Sequence, residues 1–467
     1  MRVGGLATGM DLEAMVNKLM EAERMPLIRM EQDKQKLEWK RDAFRDINRS
    51  VLELDEMLFD MKMSYTYNPK MVTSSQENAI TATANSNTHN GIYEINVTQL
   101  ATSEINVGDE LDGIDPNQVL DEQWIGTYTF HTFNKDGESV HHTFEVKEGD
   151  TLNDVLNRIT REDNNARAFY DAQSKRVVLE TTRTGKYNPD ENGPEIVFDA
   201  ESNAFFTEKL GLTTQAYDSD TKTGVREAQN AKFTYNNGLE IETQSNSYEL
   251  SGITFQFHNV TDGNARLSVE TDVDTSFESI MGLIDKYNEL IEKMNQSQME
   301  RVNRDYPPLT DEQKEEMTED QIEKWEEQAK SGILRGESVI SNNMYSMRRT
   351  WYSRVETGTE ITSINDIGIT TSKNYLDGGK LIVDENKLKE ALRDNPDAVY
   401  KLFSNNSDDD SRGIIQRLED TVKDTKNRIE ERAGKSTHTL DNYTLGKRLK
   451  ELNERISKFE KRMMQVE

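Results

Sequence analysis

Six histidines are the natural place to look for chemistry in this chain: His89, His131, His141, His142, His258 and His438. Imidazole ligates metals and moves protons near neutral pH. His131, His141 and His142 fall in one stretch of alternating residues, where every second side chain shares a face, so two of them can approach each other. A zinc site there would also need a carboxylate and a protected pocket. Polar residues on a strand face are the simpler reading, and no metal is expected. Thr184-Gly185-Lys186 has the last residues of a phosphate loop, but the first glycine at the required spacing is missing and no Ser or Thr follows the lysine. No Gly-x-Ser-x-Gly elbow occurs. The chain has no cysteine, which removes disulfides, thiolate zinc sites and cysteine nucleophiles together. Carboxylate pairs carry no information among 86 Asp and Glu. The expectation is a protein that is not an enzyme, with no catalytic residue and no cofactor.

The elements that hold these residues follow from length and pattern. A chain of 467 residues is too long for one ordinary domain. With 57 Lys and Arg against 86 acids, the net charge is −29. That balance argues against nucleic acid as a partner, because binding phosphates needs clustered cations. It gives no support to docking on anionic membranes either. No apolar run reaches the roughly 18 residues of a membrane helix. The start, Met1-Arg2-Val3-Gly4-Gly5-Leu6, lacks the apolar core of a signal peptide. Freedom from cysteine suits a chain that unfolds and refolds outside the cell, so any export is expected without a cleaved signal.

Residues 10–63 read as helix, broken at Pro26. Beyond it Met30, Leu37, Phe44, Val51 and Leu58 fall seven apart. The positions three further on are Asp33, Lys40, Ile47, Leu54 and Met61, so the seam is polar before residue 44 and apolar after it. At the other end Leu445, Leu449, Leu452, Ile456, Phe459, Met463 and Val466 alternate four and three apart. Ile415, Leu418, Val422 and Ile429 keep the rhythm upstream, with Thr425 a polar interruption and Gly434 a break. These terminal helices are expected to pack together, against other subunits, or both at different times. A third helix starts near Ser276, with Phe277, Ile280, Ile284, Tyr287, Ile291 and Met294 on one face. Tyr306-Pro307-Pro308-Leu309-Thr310 breaks it, Thr310 or Asp311 can cap a new helix, and 311–330 read as a solvated helical insertion.

Between the helices the period falls to two. Tyr128, Phe130 and Thr132 precede Asp136-Gly137, and Val140, His142, Phe144 and Val146 follow it, a strong hairpin signal. Other strand readings are Gly91–Gln99, 176–181, 231–235 and 253–258, interrupted by a helix over 151–160. The expected fold is therefore a multidomain α+β protein. A terminal coiled-coil leg (1–62 and 413–467) joins a helical stalk domain (63–88 and 274–412, with an acidic insert at 300–335). Into these is inserted a mostly antiparallel β head of two modules, the inner 89–106 with 226–273 and the outer 107–225.

Particular residues carry a family resemblance. Gly5-Leu6-Ala7-Thr8-Gly9-Met10-Asp11, with Leu19-Met20, Glu21-Ala22-Glu23 and Pro26-Leu27, resembles the opening of the flagellar filament-capping family, also called hook-associated protein 2. Members commonly have Gly-Leu-Ala-Ser-Gly-Leu-Asp here, so Thr8 and Met10 depart from the pattern. Ile364-Asn365-Asp366-Ile367-Gly368-Ile369 through Leu402-Phe403, and Leu250-Ser251-Gly252-Ile253-Thr254-Phe255 leading to Tyr287-Asn288, resemble the same family in the same order. Residues 146–179 are similar to a repeat shared by flagellins and hook proteins. Many members lack the 300–335 segment. The family's ending past the last heptads is short here, which implies a native chain continuing beyond Glu467.

The resemblance implies a secreted protein at the distal tip of the bacterial flagellum, where members assemble into a ring, often a pentamer. Flagellin, the hook–filament junction and an export chaperone are the implied partners, with no nucleic acid and no membrane. The residues expected to touch neighbouring subunits or the filament are Leu6, Met10, Leu12, Val16 and Leu19 at one end. At the other they are Leu445, Leu449, Leu452, Ile456, Phe459 and Met463. Burial of these apolar stripes and the entropy of ordering them are comparable, so the legs are expected to order on docking. The alternatives are another axial flagellar protein, such as a hook–filament junction component, and an adhesin whose β head binds host mucin or glycan.

Overall fold

The computed structural model describes residues 12–466, Glu162 and Glu191 excepted. Among them the α-helices are α1 (Leu12–Asp60), α2 (Leu152–Arg161), α3 (Val273–Met299), α4 (Asp311–Glu315) and α5 (Glu319–Lys330), followed by α6 (Ser338–Trp351), α7 (Glu385–Asp394), α8 (Pro396–Ser404), α9 (Ile414–Ala433) and α10 (Thr444–Val466). The chain divides into a helical unit, up to Pro69 and from Asp272 onward, and a sheet unit, Lys70–Thr271.

The spine of the helical unit is α1. Phe44, Ile47, Val51, Leu54, Leu58 and Met61 are at most 3% exposed, so the apolar part of its seam is used up inside the chain. They share one core with Ile280, Leu283, Ile284, Tyr287 and Ile291 of α3, with Met347 and Trp351 of α6, and with Ile415, Leu418, Val422 and Ile429 of α9. A heptad stripe says that a helix needs a partner and cannot say which; here α3 and α9 of the same unit supply it, with α6 packed on both of them. Trp351 is fully buried and meets Tyr287 edge-on at 5.4 Å. Thr425, the polar interruption on α9, is buried without loss because its hydroxyl donates to the Thr421 carbonyl one turn back, at 2.7 Å.

Two sequence expectations need correction. The first is the break at Pro26, since α1 runs through it. A proline there forfeits one backbone hydrogen bond, and residues 22–26 are all exposed, so water can satisfy the freed carbonyl. The second is the assignment of 63–88 to a helical stalk. Lys70–Ser74 and Ile80–Ala84 are strands, paired antiparallel with Ala265–Thr271 and Ile253–Phe257. Leg and stalk also share one core rather than forming two.

Asp272 caps α3, accepting from the Thr275 amide at 3.0 Å, and its own amide donates to the Pro69 carbonyl at 2.9 Å. The two ends of the helical unit where the chain leaves and returns are therefore hydrogen-bonded to each other. Thr310 caps α4 with a reciprocal bond from Gln313. Neither α4 nor α5 buries a residue, yet the insertion is anchored. Gln32 of α1 donates to the Pro308 carbonyl at 3.0 Å and the Lys330 ammonium lies 5.0 Å from the Trp39 ring of α1, while within the insertion Trp325 Nε1 donates to the Pro307 carbonyl at 2.8 Å.

The sheet unit holds two cores. In the first, a five-stranded antiparallel sheet in the order Lys70–Ser74, Ala265–Thr271, Gly91–Gln99, Ala231–Tyr235, Leu239–Thr243 shares its interior with the three-stranded sheet Ser247–Leu250, Ile253–Phe257, Ile80–Ala84. In the second, the four-stranded sheet Gly224–Arg226, Ile105–Glu110, Arg176–Thr181, Ala166–Asp171 and the three-stranded sheet Ser139–Val146, Gly126–Phe133, Val197–Phe198 enclose α2. Leu152, Val155, Leu156 and Ile159 form the buried face of α2. The Asp136-Gly137 step closes its hairpin with Gly137 at φ 78°, a backbone setting that glycine adopts without strain.

Candidate partner interface on the terminal helices

The last helix is amphipathic by spacing alone, and its position is fixed by the turn that precedes it. Gly434 ends α9 at φ 68°; a Cβ there would lie 2.4 Å from the Tyr443 ring, so the position admits only glycine without a shift. Arg45 of α1 reaches into this turn. Its Nε donates to the carbonyls of Ala433 and Gly434, both at 3.1 Å, and its Nη2 to that of Lys435 at 2.9 Å. The last carbonyls of a helix have no partner within it, and a cation among them also meets the negative end of the helix dipole. Arg45→Ala is expected to cost about 2 kcal/mol, the usual value for charge-assisted hydrogen bonds. Urea unfolding of the helical unit followed by circular dichroism would measure it. Arg45→Lys should recover only part, since an ammonium cannot fork across three carbonyls.

A second tie joins α1, α9 and the start of α6. Glu337 accepts from Arg432 at 3.2 Å and pairs with Lys40. Burial alone would raise the Glu337 carboxyl, but Lys40 and Arg432 hold it below its ordinary value.

From this anchored turn α10 runs back along α1. Leu445, Leu449 and Ile456 are buried, at 0%, 2% and 9% exposure. Leu452, Phe459 and Met463 are only half-buried, and Met464 beside them is 74% exposed. Of the candidates at the other end, Leu6 and Met10 lie outside the described residues, while Leu12, Val16 and Leu19 fall in the first turns of α1. The sequence thus identified the stripe of α10; it did not separate the half that α1 covers from the half that it leaves open.

Two clefts flank the open half. One, of about 630 Å³, has Leu37, Val302, Ile333 and Leu452 in its walls among Lys36, Lys40, Arg304, Arg448 and Arg455. The other, of about 320 Å³, is floored by Leu27, Ile28, Met463 and Met464 and rimmed by Glu31, Asp311, Glu312 and Glu460. Burial, followed by the neighbouring Glu460, Asp311 and Glu312, raises the Glu31 carboxyl. The insertion carrying Asp311 and Glu312 is therefore part of this surface. Only its solvated helices were legible in the sequence. Among the described residues no helix is long and apolar enough to cross a membrane. Of the histidine trio, His131 and His141 face each other across their hairpin, and His142 bonds Thr132 at 2.9 Å.

The helical unit is thus a bundle interrupted in sequence by an inserted sheet unit, with part of the α10 stripe only half-buried. Comparison with known proteins gives the family. The model for the C-terminus of flagellar hook-associated protein 2 matches residues 228–467, and that for its N-terminus matches 8–104. The flagellar hook-associated protein 2 of Halalkalibacterium halodurans is 31% identical over 505 residues, covering all of this chain and 94% of its own. The A-type protein of Pseudomonas aeruginosa is 26% identical, over 90% of this chain and 83% of its own. The D1-D2-D3 domains of the flagellar cap protein FliD from Escherichia coli have the same fold, with a TM-score of 0.61 at 20% identity over 84% of this chain and 99% of that one. The chain belongs to the flagellar hook-associated protein 2 family, whose members are structural proteins of the flagellum.

Proposed function

We propose that this protein caps the distal end of a bacterial flagellar filament as a ring of identical subunits, retaining exported flagellin and promoting its folding and insertion at the growing tip. No bond is made or broken in this role. The observation that carries the reading is the open half of the α10 seam, where Leu452, Phe459 and Met463 lack full cover from α1. A further helix, from a neighbouring copy or from a filament subunit, would complete the knobs-into-holes contact. Each half-covered side chain so completed contributes about 1 kcal/mol, enough to dock and little enough to let go. A cap that advances as subunits are added needs that reversibility. The first seat would be the hook–filament junction, and the chain would reach it by export without a cleaved signal, escorted by an export chaperone. The names of the relatives support the same reading.

The test is complementation. A strain lacking the gene is expected to shed unpolymerised flagellin into the medium and to lose motility, and the native gene to restore both. Phe459→Asp combined with Met463→Asp should leave the helical unit folded, since Leu445, Leu449 and Ile456 still hold α10, yet fail to restore filaments. Normal filaments in the deletion strain would reject capping. Normal filaments with the double variant would reject the role given to the seam.

A further inference from the structure

The hairpin histidines, expected to be no more than polar residues on a strand face, meet a carboxylate from the residue that follows a third strand, Val197–Phe198. His131 and His141 are direct cross-strand partners, with ring centroids 5.0 Å apart. Val197 pairs with His131 on the other side of the same strand, and alternation places Asp199 on the histidine face, while Phe198 turns away to stack on Phe206 at 4.3 Å. The Asp199 carboxylate lies between the two rings, Oδ1 2.8 Å from His131 Nδ1 and Oδ2 3.3 Å from His141 Nδ1. All three donor atoms fall within 4.8 Å of one another.

We propose that His131, His141 and Asp199 form a binding site for a borderline divalent metal ion of the zinc class, with water or an outside ligand in the fourth position. Zinc takes imidazole nitrogen at about 2.0–2.1 Å and prefers a tetrahedron, whose edge is then about 3.3 Å. The separations of 2.8 and 3.3 Å run to the two different oxygens of Asp199, and one donor atom from each residue falls within 4.8 Å of the others, so an ion would draw the three together by a turn of the exposed His141 ring. Two imidazoles and one carboxylate also match the ligand set of sites that keep one position open. The site is held from behind and open in front. His131 and Asp199 are 18% and 22% exposed, whereas His141 is 64% exposed and leaves a path for entry. Phe133 packs edge-on against His131 at 5.8 Å. Such outer contacts orient ligands and strengthen metal binding. Because the ligands come from both strands of the hairpin and from the residue after Val197–Phe198, the ion would clamp that two-residue strand to the hairpin and stabilise the outer part of the sheet unit.

The experiment uses the full chain, stripped with a chelator and titrated with zinc chloride by calorimetry, then with cobalt(II) by visible spectroscopy. One equivalent of zinc should bind, and cobalt should give the intense absorption of a tetrahedral site. His141→Gln, at a largely exposed position, should leave the metal-free melt unchanged and weaken zinc binding by about tenfold or more. Asp199→Asn should weaken zinc binding likewise, and His89→Gln should change nothing. Binding of equal strength in His141→Gln and the native chain would overturn the assignment, as would the pale spectrum of octahedral cobalt.

Discussion

Trp351→Ala is expected to destabilise the helical unit by about 3–5 kcal/mol, the range for removing a large aromatic from a packed core. Trp351 is fully buried, with Tyr287 of α3 at 5.4 Å and Phe403 of α8 at 6.5 Å, and it lies where α6 crosses toward α9. None of these neighbours can close the space without moving a helix, so most of the cavity would remain. One term acts the other way. Among the described residues the indole Nε1 has no hydrogen-bond partner, and its removal relieves a buried donor worth about 1–3 kcal/mol. Trp351→Phe separates the two: it keeps most of the volume, drops the orphan donor, and should lie close to the native protein. The measurement is urea unfolding followed by far-ultraviolet circular dichroism, with Tyr345→Ala, 68% exposed, as the neutral reference. A loss under about 1 kcal/mol for Trp351→Ala would mean that the shared core of α1, α3, α6 and α9 is not assembled in the free chain.

The second large effect is a dependence on pH set by one carboxyl in the sheet unit. Glu104 is 2% exposed and organises the segment leading into Val197–Phe198, accepting from the amides of Glu195 at 2.6 Å and Ile196 at 3.2 Å. Glu195, also buried, accepts from the amides of Tyr187 and Asn188. Burial outweighs the amide bonds, and with Glu195 and Glu227 nearby the Glu104 carboxyl is pushed up from 4.5 to about 7. The folded chain thus holds this proton more tightly than the unfolded one. Its contribution to stability is full below 4.5 and is lost as the pH rises through about 7. The loss is on the order of 3 kcal/mol. Denaturant unfolding of the sheet unit on either side of that window should show it, and Glu104→Gln should flatten it. A slope unchanged in the variant would assign the dependence to other groups.

How much of this was legible in the sequence depends on how local the information is. The hairpin on either side of Asp136-Gly137, the strand Gly91–Gln99 and the buried face of α3 depend on neighbours a few residues away, and the reading found them. Lys70–Ser74 and Ile80–Ala84 did not announce themselves. They are five residues each, Lys-Met-Val-Thr-Ser and Ile-Thr-Ala-Thr-Ala, too short to set a period of their own, and they become strands because Ala265–Thr271 and Ile253–Phe257 bring partners to them from far along the chain. The candidate interface divides in the same way. The stripe of α10 is periodic and therefore visible, while its division into covered and open halves is decided by where α1 runs. Asp199 had no local signal at all. It is one acid among 86, and only the pairing of Val197 with His131 brings it to the histidines.

The bond between the Asp272 amide and the Pro69 carbonyl, together with the register Lys70↔Thr271, has a consequence for how such chains can diversify. The chain leaves the helical unit after Pro69 and returns to it at Asp272, two residues that are bonded to each other. A genetic event could splice out everything between those residues, or transplant a different body there, without pulling on the helices.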